Sequence, residues 1–80
     1  DKMNYSVNGK DIANNIRAER NRRNKTQEEI ANNIGISLKT YIEYEKDASK
    51  IKAIMIYKIA LAIGCSLECF YLPIEFTNRG

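Results

Sequence analysis

Between Arg17 and Lys25 the chain sets five basic side chains, Arg17, Arg20, Arg22, Arg23 and Lys25, against one acid, Glu19, a local net charge of +4. Cations at this density could line a phosphate-bearing surface, and they could equally be the solvated face of a helix. The spacing leaves both readings open. Cys65 and Cys69 stand four apart in a chain with no histidine, so a four-ligand Cys/His zinc site cannot be assembled in one subunit. The thiols are expected to be reduced and packed as small apolar groups. There is no nucleophile motif, glycine-rich phosphate loop or metal-ligand cluster, so no catalysis, cofactor or small-molecule ligand is expected.

The elements that must hold these groups are helical. Ile12, Ala13 and Ile16 recur at helical spacing on a first helix from about Lys10 to Arg23, entered at Asn8 or Gly9 and left at Asn24. Thr26 and Glu29 form a capping box. The helix it opens, about Gln27 to Ile34, carries Ile30, Ala31 and Ile34 on one face and stops at Gly35. Ser37 caps a third helix almost at once, about Leu38 to Lys46. Two short helices joined by a glycine-containing turn, with the small Ala31 where they must meet, are the sequence signature of a helix-turn-helix. A loop at Asp47 to Lys50, a fourth helix from about Lys52 to Ile63 ended by Gly64, and a short fifth helix from Ser66 to about Tyr71 before Pro73 complete the chain. Strand signals are weak, and the fold class expected is all-α, a compact five-helix bundle.

Eighty residues make one domain, which at this size hides roughly 60% of the surface of its unfolded chain. The apolar fraction of 44% and charged fraction of 29% suit a globular domain rather than a disordered tail. The net charge of +3 is mild. Lys52, Lys58 and Glu68 interrupt the most apolar stretch, and no membrane span is expected. Asp1-Lys2-Met3-Asn4 has no signal-peptide pattern, so a cytoplasmic address is expected. Heavy isoleucine, asparagine and lysine usage fits an AT-rich bacterial or phage genome.

Thr26-Gln27-Glu28-Glu29-Ile30-Ala31, Gly35-Ile36-Ser37, Ile59-Ala60, Ala62-Ile63-Gly64 and Ser66-Leu67-Glu68, in that order, resemble the Cro and phage-repressor helix-turn-helix family, also called the xenobiotic-response-element family. The likeness spans about Ile12 to Leu72. It implies a lambda-repressor-like DNA-binding domain over 10–72, with the helix-turn-helix at about 27–46, an N-terminal arm over 1–9 and a C-terminal tail over 73–80. The second helix would lie across the DNA backbone and the third would enter the major groove, led by Ser37 to Thr40. The implied backbone contacts begin at Thr26 and Gln27, where free helix amides favour a phosphate. The implied base contacts fall on Leu38, Lys39, Ile42 and Glu43. Lys39 could donate to guanine, Leu38 or Ile42 touch a thymine methyl, and Glu43 accept from a cytosine amine. Against this, Leu38 and Ile42 could pack on the protein and Glu43 simply solvate the helix. Tyr41 and Tyr44 match core positions of the family.

The resemblance also implies an ion pair between Arg20 and Glu45 that ties the third helix to the first. The chain departs from the family at Asp47, in place of a usual glycine, at Ile51, in place of a usual proline, and at Lys25, where an apolar residue is common. Residues 38–47 carry a net charge of −1. Attraction to phosphate must then come from flanking cations such as Lys46, Lys50 and Lys52, with Arg22 or Arg23.

On the fourth helix Ala53, Ile56, Ala60 and Ile63 can face the core, which leaves Ile54 and Leu61 on another side. With Phe70, Tyr71 and Leu72 these could form an exposed apolar patch for a homodimer, or pack into a larger core with the tail. Two functions therefore compete. The first is a transcriptional regulator, expected to be a repressor that binds double-stranded DNA at an inverted repeat as a homodimer. The second is a protein-interaction module, an antitoxin or adaptor that grips its partner with the third helix.

Overall fold

Local chemistry sets nearly every helix boundary in the computed structural model, which describes residues 8–71. Helix α1, Gly9–Arg22, starts where the Asn8 side chain accepts from the Asp11 amide at 2.9 Å. It ends at Arg22, with Arg23 as its cap, and Asn24 just beyond takes the left-handed conformation at φ 57°. Helix α2, Gln27–Ile34, opens on the full capping box: the Thr26 hydroxyl accepts from the Glu29 amide at 3.0 Å, and the Glu29 carboxylate from the Thr26 amide at 2.7 Å. Gly35, at φ 78°, closes it in a conformation that costs other residues strain. Helix α3, Leu38–Tyr44, follows after two residues and Ser37, whose hydroxyl accepts from the Thr40 amide at 3.1 Å. Helix α4, Ala53–Ile63, ends at Gly64 in the same left-handed region.

The expected fifth α-helix is instead a 3-10 helix, Leu67–Tyr71, so the described residues form four α-helices and one 3-10 turn. The Cys69 amide reaches only back to the Ser66 carbonyl, at 3.1 Å. The segment is too short to repay the nucleation of an α-helix.

Helix α2 packs on α3 and α4, while α1 lies against the 3-10 helix and α4. Ile16, Ile30, Ile59 and Ile63 are fully enclosed at the centre, each stabilising the fold by about 2 to 3 kcal/mol through burial. Tyr41 and Phe70 are fully enclosed with them, and Tyr44 packs half-buried at the edge. Ala53 does not face the core as expected. It is exposed, while Ala48 and Ile51 of the preceding loop are buried in the core and Ile59 supplies a further buried side chain on α4.

The loop after α3 is fastened to the start of α1. The Gly9 carbonyl accepts from the Ala48 amide at 2.9 Å, and a Cβ on Gly9 would lie 2.5 Å from the Ser49 nitrogen. Asp47 turns this loop by accepting from the Ser49 amide at 2.9 Å, a bond that holds its carboxyl below the usual carboxylate range.

Candidate nucleic-acid interface

Ala31 is buried where α2 and α3 meet, and the Ile36 amide donates to its carbonyl at 3.1 Å, which fixes the turn between the helices. With Tyr41 turned into the core, α3 offers the opposite face to solvent. Leu38, Lys39, Glu43 and Lys46 are exposed there and Ile42 is half-buried. Lys39, Ile42 and Glu43 fall three and four residues apart, a single helical stripe, while the helix expected to reach Lys46 stops at Tyr44 and leaves Lys46 in the turn beyond it. Lys46 and Glu43 pair loosely at 3.5 Å. Ser37 and Thr40 occupy the leading turn, where the Ser37 hydroxyl also bonds that of Thr40 at 2.9 Å. Lys50 is exposed on the loop that follows.

The angle of this helix is set by Glu45, its C-terminal cap, which is buried with Arg20 of α1. Arg20 grips the carboxylate with two nitrogens, Nε at 2.6 Å and Nη2 at 3.0 Å, and gives its remaining Nη1 to the Lys25 carbonyl at 2.7 Å. The bond to Glu45 raises the Arg20 pKa further above its ordinary high value, with burial opposing it. Arg17 adds a bond from Nη1 to the Glu45 backbone carbonyl at 3.2 Å, one of the orphan acceptors at the end of a helix. The pair is thus enclosed rather than an exposed surface bridge. Gln27, the first residue of α2, joins it from the other side, its Nε2 donating to Glu45 Oε1 at 3.1 Å. Sequence reasoning found the Arg20 pair but missed Arg17 and the Gln27 bond, which link residues 28 and 18 positions apart.

The Tyr41 hydroxyl lies beside this pair without a hydrogen bond of good geometry. Burial, and then the neighbouring Glu45 carboxylate, push the phenol well above its ordinary value.

The basic run from Arg17 to Lys25 is in large part turned to internal bonds, with Arg17 and Arg22 also exposed. Arg17 and Arg20 hold α3. Arg23 holds Glu19 at 2.6 Å, with Arg22 at 3.7 Å, and Glu19 itself is almost fully buried. Lys25, anomalous as a polar residue at an apolar position, donates from Nζ to the Ala62 carbonyl in the last turn of α4 at 3.2 Å, where a cation complements the helix dipole. Cys65 packs against the core as a free thiol, its pKa pushed up to about 11 by burial.

On α4, Ile54, Tyr57 and Leu61 are 66%, 52% and 62% exposed, and at spacings of three and four they form one outward stripe. Tyr57 was not anticipated in this patch. Phe70 was, and is excluded from it: the ring is fully buried and the Phe70 carbonyl accepts from Asn15 Nδ2 of α1 at 2.8 Å. The turn that brings Phe70 inward leaves Tyr71 at the surface. Leu72 lies outside the described residues. An open groove lined by Asn33, Ile34, Lys58, Leu61 and Ala62 runs beside the stripe.

Two adjoining short helices, the second presenting an open face from a clamped base, define a helix-turn-helix DNA-binding domain. The model of the helix-turn-helix family matches residues 16–68, and the chain belongs to that family, in its Cro and phage-repressor type. A crystal structure of a hypothetical transcription factor from Neisseria superposes with a TM-score of 0.78 over 96% of this chain and 88% of that one, at 23% identity. That likeness establishes the shared fold. A comparison with curated proteins finds no match. Domains of this family are typically not enzymes. Among the described residues no helix is long and apolar enough to cross a membrane.

Proposed function

We propose that this protein is a sequence-specific transcriptional repressor that binds an inverted repeat in double-stranded DNA as a homodimer. The observation that carries the reading is the stripe of exposed Lys39 and Glu43 with half-buried Ile42, followed by Lys46 in the next turn, on a helix whose far end is held by a buried ion pair. Rigid presentation of this kind suits base reading, because ordering the reading surface on binding would consume affinity. Lys39 would donate to guanine, Glu43 accept from cytosine, and Leu38 or Ile42 meet a thymine methyl. Gln27, with the first amides of α2, would hold a phosphate, supported by Thr26, Ser37, Thr40, Lys46 and Lys50.

The stripe of Ile54, Tyr57 and Leu61, with Tyr71, supports a twofold contact that would set two α3 helices about one DNA turn apart. The Neisseria neighbour, described as a hypothetical transcription factor, is consistent with the same role.

Selection of sites from a random DNA pool at roughly 150 mM salt tests the reading. Enrichment of an inverted repeat, with affinity falling steeply as salt rises, is the expected outcome. Weak binding that does not distinguish sequences would sink it and favour the protein-interaction module.

A further inference from the structure

We infer that Glu45 is a positioning residue for recognition of the DNA backbone, holding the Gln27 side-chain amide so that its second N–H faces the phosphate. The inference rests on the phosphate role given to Gln27 under the proposed function and goes beyond it. A glutamine at the start of a surface helix ordinarily samples several rotamers and loses that freedom on meeting a ligand. Here Gln27 is half-buried and its Nε2 already donates to Glu45 Oε1 at 3.1 Å. A carboxylate is only an acceptor, so the end of the amide that meets it must be the NH2 group. One N–H is used in that bond, and the planar amide fixes the direction of the other.

The holder is itself immobile. Glu45 is buried, Arg20 engages both of its oxygens, and Arg17 binds its backbone carbonyl. Because Glu45 caps α3, one carboxylate sets the position of the phosphate donor on α2 relative to the base-reading stripe on α3. The family-type pair between α1 and α3 thereby acquires a third member, which couples register on the backbone to the angle of the reading helix.

The test must remove the acceptor without stranding Arg20. Replacing both partners by apolar groups, Arg20→Met with Glu45→Met, does so, since exchanging a whole buried pair for packed apolar side chains is often neutral for stability. In the wild type, Gln27→Ala is expected to weaken binding about tenfold, on the selected site and on random duplex alike. In the Met/Met background the same change is expected to cost less than about twofold, because an unheld amide contributes little. An equal loss in both backgrounds would show that Glu45 acts on α3 alone and overturns the inference.

A second measurement needs no variant of the pair. In the nuclear magnetic resonance spectrum of the DNA-free wild type, one of the two Gln27 side-chain amide protons should be displaced from the position it takes in an exposed glutamine and should exchange slowly with water. Two protons at the positions of an exposed glutamine, both exchanging fast, overturn the inference, whether or not the Met/Met protein folds. If that signature is present but Gln27→Ala leaves DNA affinity unchanged, the phosphate role fails and the inference with it, while base reading by α3 stands. Absence of any specific DNA binding by the wild type removes both.

Discussion

The two most suggestive regions of this chain exchange roles between sequence and structure. The run from Arg17 to Lys25, at +4, has the composition of a binding surface, yet Arg20, Arg23 and Lys25 are committed to internal acceptors, Glu45, Glu19, and the carbonyls of Lys25 and Ala62, while Arg17 and Arg22 stay exposed. The segment 38–47, at −1, has the poorer composition for meeting a polyanion, yet it holds the open face. Charge counted along a sequence measures what a segment could attract. Whether it is available depends on what the rest of the fold has already attracted to it.

The sharpest way to break this contrast is Arg20→Ala. If the run is scaffold, removing one partner of a buried pair should cost about 3 to 5 kcal/mol in denaturant unfolding, with Glu45 left uncompensated. A loss below 1 kcal/mol would return the run to the surface. Next in size is Lys39→Ala, expected to leave stability within about 0.5 kcal/mol while DNA binding loses about 1 to 3 kcal/mol at one base position per half-site. Reversal of these two outcomes would reverse the assignment of the regions.

Arg23→Ala should cost about 1 kcal/mol of stability, since it removes the 2.6 Å bond to buried Glu19 but leaves Arg22 near. It should do so without a sequence-dependent effect on DNA. The smallest effect at neutral pH is expected for Tyr41→Phe, within about 1 kcal/mol, because the hydroxyl lost makes no well-formed bond. The difference appears in alkali. The folded phenol titrates above its unfolded value of about 10, so the wild type keeps its full stability below that pH and loses it as pH rises beyond. Tyr41→Phe should lack that part of the loss, and unfolding curves at successive alkaline pH values would reveal it.

What the sequence made legible was chemistry completed within one turn of helix. Thr26 with Glu29, Ser37, Gly35, Gly64 and Asn24 each act on neighbours three or four positions away, and each marks the boundary expected of it. The Gln27–Ile34 helix is as the sequence predicts. The Arg20–Glu45 pair came through family resemblance rather than local pattern. Hidden were the contacts that depend on distant segments meeting: Lys25 with Ala62 and Asn15 with Phe70. An aromatic run such as Phe70-Tyr71 does not say which ring turns inward. That depended on the 3-10 twist, and the twist on a helix too short to propagate. Ala53 was misplaced because helical spacing identifies a face but not how far along the helix that face stays covered.

The bond from Asn15 to the Phe70 carbonyl joins positions 55 apart, with the Phe70 ring closing over the same helix. During synthesis the helix-turn-helix therefore leaves the ribosome well before the segment that covers α1. Until Phe70 emerges, α1 lacks the cover of the 3-10 helix. A chain that stalls after α4 would therefore carry both helices of the motif, and the Arg20–Glu45 pair, without the segment that encloses α1.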